Sequence, residues 1–329
     1  MKFEIYLIHC GFFYQNSMDK INIAIIGAGG VGGYFAWKFM RNVGDYTTLT
    51  LVARGRHYEE IRRHGLGLES PESNGESLWP DFLFSHIDEA DVNDIILLCV
   101  KDYDLSGVLD GIKKIVHSNS VIVPLMNGVD IYSRVKSAFP NHQVLSACVY
   151  VASHIKAPGV VEHKGKPGEI IAGADPAFPD VDLDWLTETF HGAKINFTLK
   201  ADASEEIRSK FLFIASFGLI SARYNKSIGE ILANPELDAR TNKLLLEYAA
   251  VLFDLNETER RVKVALERAR AFPYDTRTSL QLDIHGGKAP DRNELDLYLR
   301  PIMKDGPPGG SLAMRLADEI REAFMKSRT

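Results

Sequence analysis

From Ile21 onward, short apolar runs rich in β-branched residues alternate with longer stretches of mixed polarity. The runs are INIAII at 21–26, LTLVAR at 49–54, DIILLCV at 94–100, VIVPLM at 121–126 and QVLSACVYV at 143–151. Most lack the strict apolar–polar alternation of a half-exposed strand, so they predict strands buried on both faces, with the intervening stretches as covering helices. That is an α/β architecture built on a mostly parallel sheet. After Val151 the segments VVEHKG and GEIIAG, separated by Lys, Pro and Gly, predict a strand hairpin, and KINFTL at 194–199 predicts a last strand.

Beyond that point strand signals stop. Asp202, with Glu205 three residues on, predicts a capped helix start, and FLFIASFGLIS at 211–221 predicts a buried helix. Asn234 before Pro235 marks another start, continued by ELDARTNKLLLEYAAVLF. The chain closes with GPPGG and the amphipathic SLAMRLADEIREAFMK. The pattern divides the chain into an extension at 1–19, a Rossmann-type mostly parallel α/β domain at 20–199 and an all-α domain at 200–329. Met18 precedes the first clear strand, so residues 1–17 read either as an upstream-start or non-native extension or as an edge strand or partner-binding arm.

Composition narrows the function. A chain of 329 residues with 45% hydrophobic content fills two ordinary cores. The net charge of −6, without dense basic blocks, argues against nucleic-acid binding. Cys10, Cys99 and Cys148 are odd in number and widely spaced, which argues against a disulfide framework or a metal site and fits a reducing cytoplasm. No run reaches the roughly 18–20 apolar residues of a spanning helix, so no membrane partner is expected.

The most informative motif is INIAIIGAGGVGG. Gly27, Gly29 and Gly32 form GxGxxG between an apolar strand and a helix, with Gly30 inside the turn. Such a turn lets backbone approach a pyrophosphate at a helix N-terminus. The next strand ends in Ala53-Arg54-Gly55-Arg56, without the acid that would bond an NAD ribose. A guanidinium suits a 2′-phosphate, so NADP is the expected cofactor, with Arg54 the first choice and Arg56 the alternate. Lys101 and Asn127 follow later strands at their C-terminal ends, where ligands of open sheets bind.

Six segments, GAGGVGG, VKDYD, MNGVD, RSKFLF, TSLQLD and NELD, follow in order across nearly the whole chain, and together they resemble the signature of ketopantoate reductases. The resemblance implies an active site between a Rossmann domain and a helical domain. It also implies NADPH-dependent reduction of 2-dehydropantoate, a small 2-oxo acid, to pantoate on the route to pantothenate and coenzyme A. Carried over by position, Lys210 is the catalytic lysine, Glu294 its paired acid, and Ser279 a substrate-binding hydroxyl. Lys101 and Asn127 correspond to cleft residues on the cofactor side.

Hydride addition to a ketone builds charge on oxygen, which an ammonium can stabilise and then protonate; Lys210 fits that role. Ile214 and Gly218 stand where members carry two substrate-facing asparagines, and HGGKAPDRN lengthens the connection before Glu294. Ser216 lies on another helix face. A less polar 2-oxo acid, an opine-type dehydrogenation or a non-catalytic NADPH sensor remain open readings. LLLEYAAVLF suits a homodimer interface or a core.

Overall fold

The computed structural model describes residues 20–289, 292–306 and 310–326. The extension at 1–19 and the centre of GPPGG lie outside them. The first half of the chain begins with β1 (Ile21–Ile26), α1 (Gly30–Val43), β2 (Thr47–Val52), α2 (Gly55–His64), β3 (Leu66–Glu69), β4 (Ser77–Leu78) and β5 (Phe82–Phe84). It continues with β6 (Asn93–Leu98), α3 (Asp102–Ile112), β7 (Val116–Pro124), α4 (Ile131–Ala138) and β8 (Gln143–Val144). The half is completed by β9 (Ser146–Ala157), β10 (Val160–Gly173), α5 (Asp184–Gly192) and β11 (Asn196–Lys200).

Six strands form one sheet in the order β5-β2-β1-β6-β7-β8, with every pairing parallel. Side chains alternate across it, as strand geometry requires. Ile23 and Ile25 enter the core under α1, while Ala24 and Ile26 enter a second core under α3 and α4. Both faces are therefore apolar, which is why these strands read as continuous apolar runs. The strand order reverses at β1 and β6, the place where open α/β sheets bind ligands.

The remaining strands form a second sheet, β11-β10-β3-β4, with β9 added antiparallel to β10. Helix α1 lies between the two sheets, with Tyr34, Phe35, Trp37 and Phe39 at 2% exposure or less. Burying each such side chain contributes ~1.5–3 kcal/mol, so this one helix joins two layers.

Two sequence expectations are corrected here. VVEHKG and GEIIAG are not the arms of a hairpin but two halves of β10, joined across an irregularity between Lys164 and Glu169; the true hairpin pairs β9 with β10. QVLSACVYV likewise serves both sheets, Gln143–Val144 pairing with β7 and Ser146 onward with β10.

The second half comprises α6 (Ser204–Tyr224), α7 (Ile228–Ala233), α8 (Pro235–Leu252), α9 (Thr258–Arg270), α10 (Ser279–His285), α11 (Leu295–Asp305) and α12 (Leu312–Lys326). FLFIASFGLIS forms the buried centre of α6, which α8, α10 and α12 surround. Asn234 caps α8 as expected, accepting from Glu236 N at 3.0 Å and Leu237 N at 3.1 Å. The start of α6 differs from the expected capping box: Ala203 holds the cap position, Asp202 accepts from Ser204 N at 2.8 Å, and Glu205 pairs with Arg261 instead. Among the described residues no helix is long and apolar enough to cross a membrane.

Candidate active site

The glycine turn leaves β1 at the reversal point of the sheet. Gly27 has φ +102°, a left-handed value that a side chain resists, and a Cβ on it would lie 2.9 Å from the Cys99 carbonyl oxygen. A Cβ on Gly32 would lie 2.0 Å from the Gly27 carbonyl oxygen, so close approach of helix and strand requires glycine there. Gly30 is constrained from another side, where a Cβ would meet the Ser153 carbonyl of β9 at 2.4 Å. Gly29 alone faces open space. No side chain caps α1 and no acid stands in its first turn, so its first N–H groups point outward with their dipole uncompensated. Arg54 caps α2 at the end of β2; it is exposed and pairs at 3.4 Å with Asp104. Arg56 is exposed on the first turn of α2.

Lys101 and Asn127 follow β6 and β7, so the parallel pairing of β1, β6 and β7 brings the glycine turn and both residues to one edge of the sheet. The helical domain meets them there. Glu294, 3% exposed just before α11, accepts from Lys101 Nζ at 3.0 Å and from Asn127 Nδ2 at 3.2 Å. Lys210, on the second turn of α6, donates to Asn127 Oδ1 at 2.8 Å. Asn127 thus links the lysine and the acid, its two ends serving opposite roles. The four residues quoted from separate motifs form one connected network across the two domains.

Electrostatics separates the two lysines. Burial is the strongest influence on Lys210 and pushes its pKa down. Arg268 and Lys101 act the same way, and the pull of Cys148 and Glu294 does not restore the ordinary lysine value. Burial also acts on Lys101, but Glu294 at 3.0 Å and Asp283 at 3.4 Å outweigh it and raise its pKa. Lys101 is therefore a firmly charged positioning group. Lys210 is the lysine more ready to release a proton.

Ser279 opens α10 rather than capping it, since Thr278 holds the cap and accepts from Gln281 N. Its hydroxyl hydrogen-bonds the phenol of Tyr298, a ring buried on α11. That ring also accounts for the departure at Gly218: a Cβ there would lie 2.7 Å from Tyr298 Cε2, so the aromatic ring fills the space a side chain would take. Ile214 packs its partly buried side chain against the helical core, and Ser216 is fully buried.

Three groups at this edge escaped the sequence reading. Asp283 lies inside TSLQLD and was open to notice there. Arg300 of α11 pairs with Asp102 and, at 3.0 Å, with Asp130, while Arg134 reaches Asp102 at 2.5 Å. The Arg300 pairs hold the helical domain against the ends of β6 and β7, and no local motif announces them. Arg268 of α9 lies beside Tyr150 of β9; its helix, rich in Arg and Lys, reads simply as a solvated one.

Residues 23–176 match the family model described as ketopantoate reductase PanE/ApbA. A 2-dehydropantoate 2-reductase of Mesorhizobium japonicum is 27% identical over 312 residues, covering 87% of this chain and 91% of that protein. An uncharacterised oxidoreductase of Bacillus subtilis is 25% identical over 283 residues, covering 84% of this chain and 89% of its own length. The fold of a PanE/ApbA family ketopantoate reductase from Ralstonia eutropha superposes with a TM-score of 0.80 at 22% identity, over 94% of this chain and 100% of that one. With the glycine turn, the two-domain fold and these likenesses together, the chain is an oxidoreductase acting on CH–OH groups that is similar to the ketopantoate reductases.

Proposed function

We propose that this enzyme uses NADPH to reduce the ketone of a 2-oxo acid to a 2-hydroxy acid, with Lys210 as proton donor and 2-dehydropantoate as the first substrate to test. The observation that carries this reading is the Lys210–Asn127–Glu294 chain, with bonds of 2.8 and 3.2 Å, at the sheet edge beside the glycine turn.

The turn fits a dinucleotide. Gly29 has open space where a phosphate would approach, and the uncapped start of α1 offers N–H donors. Arg54, exposed beyond β2, suits a 2′-phosphate and would trade its loose contact with Asp104 for a bidentate one. When bound, the reduced nicotinamide supplies the hydride. Lys210 then stabilises the charge that develops on the ketone oxygen and gives up its proton, which its depressed pKa favours. Asn127 holds the amine in line, and Glu294 fixes Asn127 and Lys101 in turn. Ser279 is the substrate-facing hydroxyl of the helical domain. A reducing cytoplasm suits this chemistry.

Ile214 and the Tyr298 ring against Gly218 favour a second substrate reading, a 2-oxo acid whose side chain is less polar than that of 2-dehydropantoate. A panel of 2-oxo acids assayed by NADPH oxidation separates the two. Fastest turnover of 2-dehydropantoate supports the first and fastest turnover of an apolar acid the second. Absence of turnover on every member removes both.

A further inference from the structure

Around the candidate site most cations are balanced. Lys101 faces Glu294 and Asp283, Arg300 faces Asp102 and Asp130, and Arg261 faces Glu205 and Glu257. Among the described residues, the two cations nearest the Tyr150 ring lack a carboxylate within ion-pair distance. One is Lys210. The other is Arg268, half-buried near the end of α9.

Both flank the ring of Tyr150. The Arg268 guanidinium carbon lies 4.3 Å from its centroid, and Arg268 Nη1 donates to the Tyr150 hydroxyl at 3.3 Å. The Lys210 amine lies 5.8 Å from the same centroid. Arg268 is also among the groups that depress the Lys210 pKa. Bringing a second positive charge beside a buried amine, which the pull of Cys148 and Glu294 offsets only in part, is unfavourable in a poorly solvated cleft. The arrangement makes physical sense if an anion arrives with the ligand.

We propose that Arg268, carried on the Tyr150 ring, is the anchor for the substrate carboxylate and sets the preference for acids over neutral ketones. This rests on the reading of the substrate as a 2-oxo acid. The two centroid distances together place the cations no more than about 10 Å apart. A 2-oxo acid spans such a gap when its ketone oxygen takes a hydrogen bond of ~2.8 Å from the amine and its carboxylate takes another of similar length from the guanidinium. The planar fork of arginine matches a carboxylate in a way an ammonium does not. The neutral alternatives are already engaged, Asn127 with Lys210 and Glu294, and Ser279 with Tyr298. A carboxylate on Arg268 also offsets the charge that depresses Lys210, so substrate binding itself raises the affinity of the amine for the proton it must deliver.

The test uses the full chain saturated with NADP⁺ and reads binding by calorimetry, with 3-methyl-2-oxobutanoate and its methyl ester as probes. The wild-type protein should bind the acid at least about tenfold more tightly than the ester, as a charge-assisted bidentate contact implies. Arg268→Leu should lose that preference while keeping its NADP⁺ affinity and Tm, and Arg268→Lys should restore part of it. An acid preference unchanged in Arg268→Leu, or absent from the wild type, overturns the assignment. A preference that disappears with Arg268, in an enzyme that turns over none of the acids, upholds the anchor and removes the reductase reading.

Discussion

The glycine turn and the interdomain cleft are built by opposite means. The turn is made of backbone, and its shape follows from the absence of side chains: Gly27 and Gly32 are held by carbonyl oxygens too near for any Cβ. The cleft is made of side chains drawn from β6, β7, α6 and the segment before α11, and its shape follows from a few polar contacts. The difference is one of tolerance. A site made by backbone fails altogether when it is changed, whereas a site made by side chains is retuned, as the Tyr298 ring against Gly218 illustrates.

The largest effect should therefore come from the turn. Gly32→Ala forces the α1–β1 contact apart at a cost of about 3 kcal/mol, because backbone on both sides cannot yield. Its Tm should fall by several degrees and its calorimetric NADPH binding should vanish; near-normal binding would break the contrast. Gly218→Asn should be milder. It pushes against the edge of an aromatic ring and should cost about 1–3 kcal/mol in urea unfolding, with Tyr298→Ala in the same chain recovering part of the loss.

Smaller still is Arg54→Ala, at an exposed position with one loose ion pair. It should weaken NADPH relative to NADH by about 1 kcal/mol, a several-fold change in the ratio of the two Kd values. Equal loss for both cofactors would place the 2′-phosphate elsewhere.

The pH dependence is the finest comparison. The proposed reduction needs Lys210 protonated, and burial holds its pKa below the ordinary lysine value. The rate should therefore decline with rising pH earlier than an exposed lysine would allow. The same depression has a stability sign: the folded chain binds fewer protons at Lys210 than the unfolded chain between the two pKa values. The cost of burying this ammonium is therefore fully present below the folded pKa and fades as pH rises toward the unfolded one. Lys210→Met should raise Tm near neutrality and lose that advantage at high pH. A Tm lowered near neutrality would mean that the amine stabilises the fold.

The same contrast explains what the sequence disclosed. Buried strands and the glycine turn were legible because two-sided burial and forbidden Cβ positions leave local marks, as in INIAIIGAGGVGG. The β9–β10 hairpin was misread because the bend at 165–168 looks like a turn until pairing with β9 holds its two sides in one strand. Lys101, Asn127, Lys210 and Glu294 could be named by resemblance, yet nothing local in EEIRSK or DRNELD says that they meet. Arg268 and Arg300 hydrogen-bond partners more than 100 residues away, Tyr150 and Asp102, so their place at the cleft depends wholly on tertiary structure.

Single-turnover oxidation of prebound NADPH by a 2-oxo acid, in wild type and Lys210→Ala, tests the central claim most directly. Loss of the amine should slow hydride transfer by about 10²–10⁴-fold, the span of a positioned acid, with NADPH affinity unchanged. A Lys210→Ala enzyme that oxidises NADPH at the wild-type rate would contradict the account.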